Sequence, residues 1–149
     1  MKNYCFINDL AIAFNLSSYI LFKQFASGTE SFYRADLDNG DGIAVVAGHK
    51  VYPIFAFAEN CFNARIFIIS FPDFVKISVF EAKDECVYIG LSFSETEHLI
   101  ALTGMPDYKL QVWYWRTNDL LLSKKTEVIT DKQKITCSYS LPLTVAQFA

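Results

Sequence analysis

Apolar residues fall in short runs along this chain, often alternating with polar ones, and polar or turn-forming clusters separate the runs. Alternation of period two marks a strand buried on one face. A short unbroken apolar run marks a strand buried on both faces, and neither has the 3.6-residue period of an amphipathic helix. The pattern predicts strands over 9–14, 19–25, 31–36, 43–48, 51–58, 65–71, 75–81, 86–93, 98–104, 109–115 and 120–125. Two more are predicted over 134–140 and 144–148, with Pro142 marking a turn or edge between them. Asp38-Asn39-Gly40-Asp41-Gly42 is the clearest turn, because Asn and Gly adopt positive φ at little cost.

Two internal repeats compete. Phe71-Pro72-Asp73-Phe74 matches Met105-Pro106-Asp107-Tyr108 at an offset of 34 residues. Strand matches strand instead at an offset of about 44, which places Ile66, Ile68 and Ser70 on Leu110, Val112 and Tyr114. The second is the structural repeat, since the first would set the matched turns between different strand pairs. Four strands in 40–45 residues is the size of a β-propeller blade.

Composition narrows the function classes. The 149 residues are 52% hydrophobic and 19% charged, enough for one core and too apolar for extended disorder. The 14 Phe and 8 Tyr favour strands. A net charge of −3 with no basic stripe argues against a nucleic-acid partner. No run reaches the ~18 apolar residues of a membrane span. Residues 1–21 have the outline of a signal peptide, but Asn8, Asp9 and Asn15 interrupt its apolar stretch. Cys5, Cys61, Cys86 and Cys137 form no CxxC pair, and with two histidines no zinc pattern assembles; free thiols are expected.

The segment Leu91-Ser92-Phe93-Ser94, then His98 through Trp115 with Met105-Pro106-Asp107-Tyr108 and Leu110-Gln111-Val112-Trp113-Tyr114-Trp115, resembles a WD40 blade. More narrowly, it is similar to the WD-repeat proteins of the cilia- and flagella-associated group, over about residues 41–125. The resemblance implies an all-β, partial WD40-like propeller of about three four-stranded antiparallel blades, not closed. It divides the chain into an incomplete blade over 9–36, blades over 42–81 and 86–125, and the start of another over 134–149. A closed ring takes about four to eight blades, so a piece of a larger propeller is expected. Functionally the resemblance implies a non-enzymatic scaffold in the axoneme of motile cilia and flagella. It would be part of a dynein-regulating tether complex needed for beating and sperm flagellum assembly, with other axonemal proteins as partners and a cytoplasmic, cytoskeletal location.

Two departures from the WD40 pattern stand out. The Trp-Asp dipeptide reads Trp113-Tyr114, and Gly48-His49 follows a strand instead of preceding one. The buried Asp-His-Ser/Thr-Trp network of a standard blade therefore cannot be assembled as written.

Candidate chemistry is sparse. His49 and His98 are the only imidazoles, and no nucleophile pairs with either by motif. Asp36, Asp38 and Asp41 have the alternation of a calcium loop but lack its later bidentate Glu, so a solvated turn is the better reading. No catalytic residue, metal ligand or cofactor site is assigned. Trp113 and Trp115 point to one face of their strand, where they pack between blades or, for Trp115, reach the rim. A protein interface is expected at the turns, on Phe71, Asp73, Phe74, Asp107, Tyr108 and Trp115. The alternative is a stand-alone small β-barrel holding an apolar ligand. Such a barrel needs strict in–out alternation, whereas residues 43–48 and 66–71 are apolar at consecutive positions.

Overall fold

The computed structural model describes residues 3–37, 41–81 and 85–126. Among these described residues, twelve strands form three four-stranded antiparallel sheets. The first holds β1 (Tyr4–Ile7), β2 (Ala11–Leu16), β3 (Tyr19–Gln24) and β4 (Glu30–Arg34). The second holds β5 (Ile43–Gly48), β6 (Ile54–Glu59), β7 (Arg65–Ser70) and β8 (Lys76–Glu81). The third holds β9 (Tyr88–Phe93), β10 (His98–Thr103), β11 (Lys109–Tyr114) and β12 (Asp119–Lys125). Strand order follows the chain in each sheet, so each is a meander, as in a propeller blade.

The sheets stack face to face, with β5 between β1 and β9. Gly48 permits the closest approach: a Cβ there would lie 1.9 Å from the Phe6 carbonyl oxygen. The middle blade is covered on both sides, which explains its unbroken apolar runs. Successive side chains on a strand point to opposite faces. On β6, Phe55 and Phe57 join the core shared with the first blade, while Ile54, Ala56 and Ala58 join the core shared with the third. On β7, Phe67 and Ile69 face one way, and Ile66 and Ile68 the other. Each such side chain, fully buried, contributes roughly 1.5–3 kcal/mol.

Aromatic rings fill both seams. Phe22 of the first blade lies 4.9 Å from Phe55, centroid to centroid, and 5.1 Å from Phe71. Trp113 of the third blade stacks on Phe80 of the second at 4.8 Å and 13°. The buried carboxylate of Glu59 is satisfied by the Arg65 side chain at 2.6 Å and by its backbone N–H at 2.9 Å.

Some expectations need correction. The first sheet has four strands, because β1 pairs with β2 in the register Tyr4↔Phe14 through Ile7↔Ala11. Residues 8–10, where a strand was expected to begin, form the turn between these two. The expected strand over 51–58 begins only at Ile54, because the backbone N–H groups of Val51 and Tyr52 donate to the His49 ring instead of a ladder. The barrel alternative fails, since the strands of the described residues form three separate four-stranded sheets. Cys61 is a free thiol. The expected strands over 134–140 and 144–148, Cys137, and Asp38, Asn39 and Gly40 of the acidic turn lie outside the described residues.

Candidate functional site at the blade ends

In each meander, the turns after the first and third strands lie at one end. The turn after the second strand and the links between blades lie at the other. This separates the candidate residues. Phe71, Asp73 and Phe74 follow β7, a third strand, and Trp115 follows β11, also a third strand. Asp107 and Tyr108 follow β10, a second strand. The two Pro-Asp turns therefore sit at opposite ends of the stack and form no common surface.

At the first end, Asp73 is exposed and its carboxylate accepts the Ser70 hydroxyl at 2.9 Å. Ser70 Oγ also accepts the Val75 N–H at 3.0 Å, which closes the turn. Phe74 adopts φ 55° and turns its half-buried ring onto Phe22, Tyr33 and Phe71. Phe71 and Trp115 are each 3% exposed. Both rings are packed in the seams between blades. Phe71 stacks on Phe22 of the first blade, and Trp115 lies beside Tyr52 and His49 of the second. They are equivalent residues 44 positions apart. Each donates its backbone N–H to the turn after the first strand, Phe71 to Pro53 at 2.8 Å and Trp115 to Glu97 at 3.1 Å.

Arg116 lies over the Trp115 ring at 4.6 Å and the Tyr52 ring at 5.3 Å. Its guanidinium pairs with Glu97, which also accepts the Tyr114 hydroxyl. Hydrogen bonds from Tyr114 and then Arg116 hold the Glu97 carboxyl below the usual range, and the same bond pushes the Tyr114 phenol up.

The same end carries a feature that sequence reasoning missed. His49 is fully buried, and its ring ties the second blade to the third. Nδ1 accepts the N–H groups of Val51 at 2.9 Å and Tyr52 at 3.1 Å, so the ring proton is on Nε2, which donates to the Thr96 carbonyl at 2.7 Å. The His49 carbonyl in turn accepts the Asn8 N–H of the first blade at 2.7 Å. Burial, then the nearby charge of Arg116, depresses its pKa, against the raising effect of the Thr96 bond. A histidine beside a glycine in the turn after an apolar strand was the one available signal. His98 is half-buried at the start of β10, with its Nδ1 3.1 Å from Thr96 Oγ1.

At the opposite end, Asp107 is exposed and pairs with Lys125 at 2.7 Å. That bond holds its carboxyl below the usual range. Tyr108 is half-buried, and its carbonyl accepts both the backbone N–H and the hydroxyl of Thr126. The cleft beside it, lined by Glu85, Cys86, Thr103, Pro106, Asp107 and Lys109, holds about 20 Å³, room for one water and not for a substrate. Among the described residues, no three His, Cys, Asp or Glu side chains cluster as metal ligands would.

The standard WD40 network is replaced by another. Gln111 Oε1 accepts the Tyr88 hydroxyl at 3.1 Å and the Trp113 indole N–H at 3.4 Å, all buried. Ser78 Oγ, on β8, donates to the Trp115 carbonyl at 2.8 Å across the seam.

No family model matches the sequence. The chain is 26% identical over 130 residues to cilia- and flagella-associated protein 43 of Xenopus laevis, covering 87% of this chain and 8% of that protein. It is 23% identical over 124 residues to the Mus musculus protein of the same name, covering 83% of this chain and 7% of that one. It is 27% identical over 88 residues to cilia- and flagella-associated protein 44 of Mus musculus, covering 58% of this chain and 5% of that one. The chain thus spans less than a tenth of the length of the curated relatives it matches. Among solved structures, it superimposes on a chain of the mitotic checkpoint complex with a TM-score of 0.73 and 13% identity, covering 85% of this chain and 38% of that one. Sequence and fold together show that the described residues form three blades of an unclosed WD40-like propeller, in a chain similar to the cilia- and flagella-associated proteins 43 and 44.

Proposed function

We propose that the chain is a non-enzymatic scaffold of the axoneme in motile cilia and flagella, with residues 1–149 as one part of a larger propeller. The carrying observation is the similarity to a cilia- and flagella-associated protein over 87% of the chain, joined to a fold that holds its turns rigidly. Stacked blades with filled seams change shape little, so the turns at either end present fixed contacts to other axonemal proteins. Exposed Asp73 with half-buried Phe74 at one end, and exposed Asp107 with half-buried Tyr108 at the other, are the groups offered there. A role within a dynein-regulating tether, and in sperm flagellum assembly, follows from the resemblance to the ciliary WD-repeat group.

The test is to express the tagged chain in ciliated cells and to fractionate demembranated axonemes. Retention on the doublets, weakened by Asp73→Ala or Asp107→Ala with folding intact, is the expected result. A fully soluble chain absent from axonemes would sink the reading.

A further inference from the structure

Where the second and third blades meet, two aromatic rings stand as walls around one positive charge. Tyr52, in the turn after β5, and Trp115, just after β11, lie 6.0 Å apart at 74°. The Arg116 guanidinium lies 4.6 Å from the Trp115 ring centroid and 5.3 Å from that of Tyr52. The Glu97 carboxylate closes a third side, pairing with Arg116 and accepting the Tyr114 hydroxyl. A ring face carries negative potential, so two faces and a carboxylate make a cage for a cation.

The walls are fixed, whereas the occupant is loosely held. Tyr52 donates its backbone N–H to His49 Nδ1 at 3.1 Å, and its ring lies 4.8 Å from the imidazole. Trp115 donates its backbone N–H to the Glu97 carbonyl at 3.1 Å, which ties the ring to the residue bearing the carboxylate. The Arg116 side chain is 45% exposed and opens an exposed run over 116–119. An exposed ion pair and exposed cation–π contacts each hold weakly in water. Arg116 can therefore swing out without disturbing the seam, and its departure bares the face of Trp115.

The cage is not a feature of the repeat. Forty-four positions earlier, Phe71 stands where Trp115 does, but Pro72 stands in place of Arg116 and Pro53 in place of Glu97. The first seam thus closes with the ring and without either charge, so packing does not require them.

The guanidinium in place defines the ligand. Arg116 Nε donates to Glu97 while the group lies over both rings. A planar guanidinium does both at once, whereas a Lys ammonium is a compact point charge. We infer that this cage binds an arginine side chain of a partner protein and is kept closed by the chain's own Arg116 until the partner's guanidinium replaces it. The inference deepens the scaffold reading and rests on it only for the arginine's belonging to another protein.

The experiment titrates N-acetyl-arginine methylamide into the isotope-labelled 149-residue chain and follows the Trp115 indole N–H by NMR. The buried Trp113 indole, bonded to Gln111, is the internal control. Arg116→Ala is expected to bind the probe at least about tenfold more tightly than the parent, because the competing side chain is gone. N-acetyl-lysine methylamide is expected to bind that variant at least about tenfold more weakly than the arginine probe. Adding Glu97→Gln is expected to weaken arginine binding by about tenfold while the Trp113 signal stays in place. Arg116→Gln serves the same purpose if the alanine variant does not fold. No saturable shift at Trp115 in the variant, or equal binding by variant and parent, would overturn the inference. So would lysine binding as tightly as arginine, because the site would then not be built for a guanidinium. A chain absent from axonemes would strike the scaffold reading and leave these titrations as they are, so the two proposals fail separately.

Discussion

The imidazole of His49 donates from Nε2 to the carbonyl oxygen of Thr96 across 2.7 Å, joining the first turn of the second blade to that of the third. Its other nitrogen accepts two backbone N–H groups, so the ring holds its place only while neutral. The folded-state pKa is depressed, first by burial. Below the ordinary value of ~6.5 the unfolded chain therefore binds the proton more readily than the folded one. The stability this site contributes is fully present above pH ~6.5 and is lost as pH falls toward the depressed value. Urea midpoints measured from pH 7.5 to pH 5 are expected to fall in the parent chain and to fall less in His49→Gln. Parallel curves would remove His49 as the source.

Trp113 stacks on Phe80 and carries much of the seam between the second and third blades. Trp113→Ala is expected to cost about 3–5 kcal/mol, the range for deleting a large buried ring. Chemical denaturation checks it, and a loss under about 1 kcal/mol would place the ring outside the core.

Gly48 is held by proximity and not by an unusual φ. A methyl group there would meet the Phe6 carbonyl oxygen at 1.9 Å, and the atoms nearest it are all β1 backbone, which cannot swing aside as a side chain can. Gly48→Ala is expected to destabilise by about 3 kcal/mol, the upper part of the usual overpacking range. Hydrogen exchange should show the effect at the β1–β5 contact first. A neutral substitution would mean that the two strands are not packed this closely.

Gln111 accepts two buried donors at once. Gln111→Leu leaves the Tyr88 hydroxyl without that acceptor and is expected to cost about 1–3 kcal/mol. Adding Tyr88→Phe removes that donor as well, so the double variant should recover part of that loss. A strictly additive double variant would show that the two groups do not communicate.

The middle and third blades were readable because their strands announce themselves. Residues 66–69 are apolar without interruption because β7 is buried on both faces, and Lys109 to Trp115 carries the tryptophans of the seam. β1 was missed because it has only four residues, too few for alternation to register. Val51 looked like strand because it is β-branched, but His49 captures its N–H, and one ring nitrogen outweighs propensity. The roles of Trp115 and Phe71 are not legible in the sequence, because aromatics beside turns serve binding as readily as packing. Exposure alone distinguishes the two uses, and exposure is set by the neighbouring blade, which the local sequence does not describe. Gln111 could not be picked out at all, since it replaces a motif with a residue that has no motif of its own.

The two Pro-Asp turns lie at opposite ends of strands six residues long. At about 3.3 Å per residue that is a separation of roughly 20 Å. This exceeds the ~8 Å over which charge is felt through physiological salt. Neutralising Asp107 therefore leaves the electrostatics at Asp73 unaffected. In mechanical terms the blade acts as a spacer of fixed length, holding its two ends apart and electrically deaf to each other.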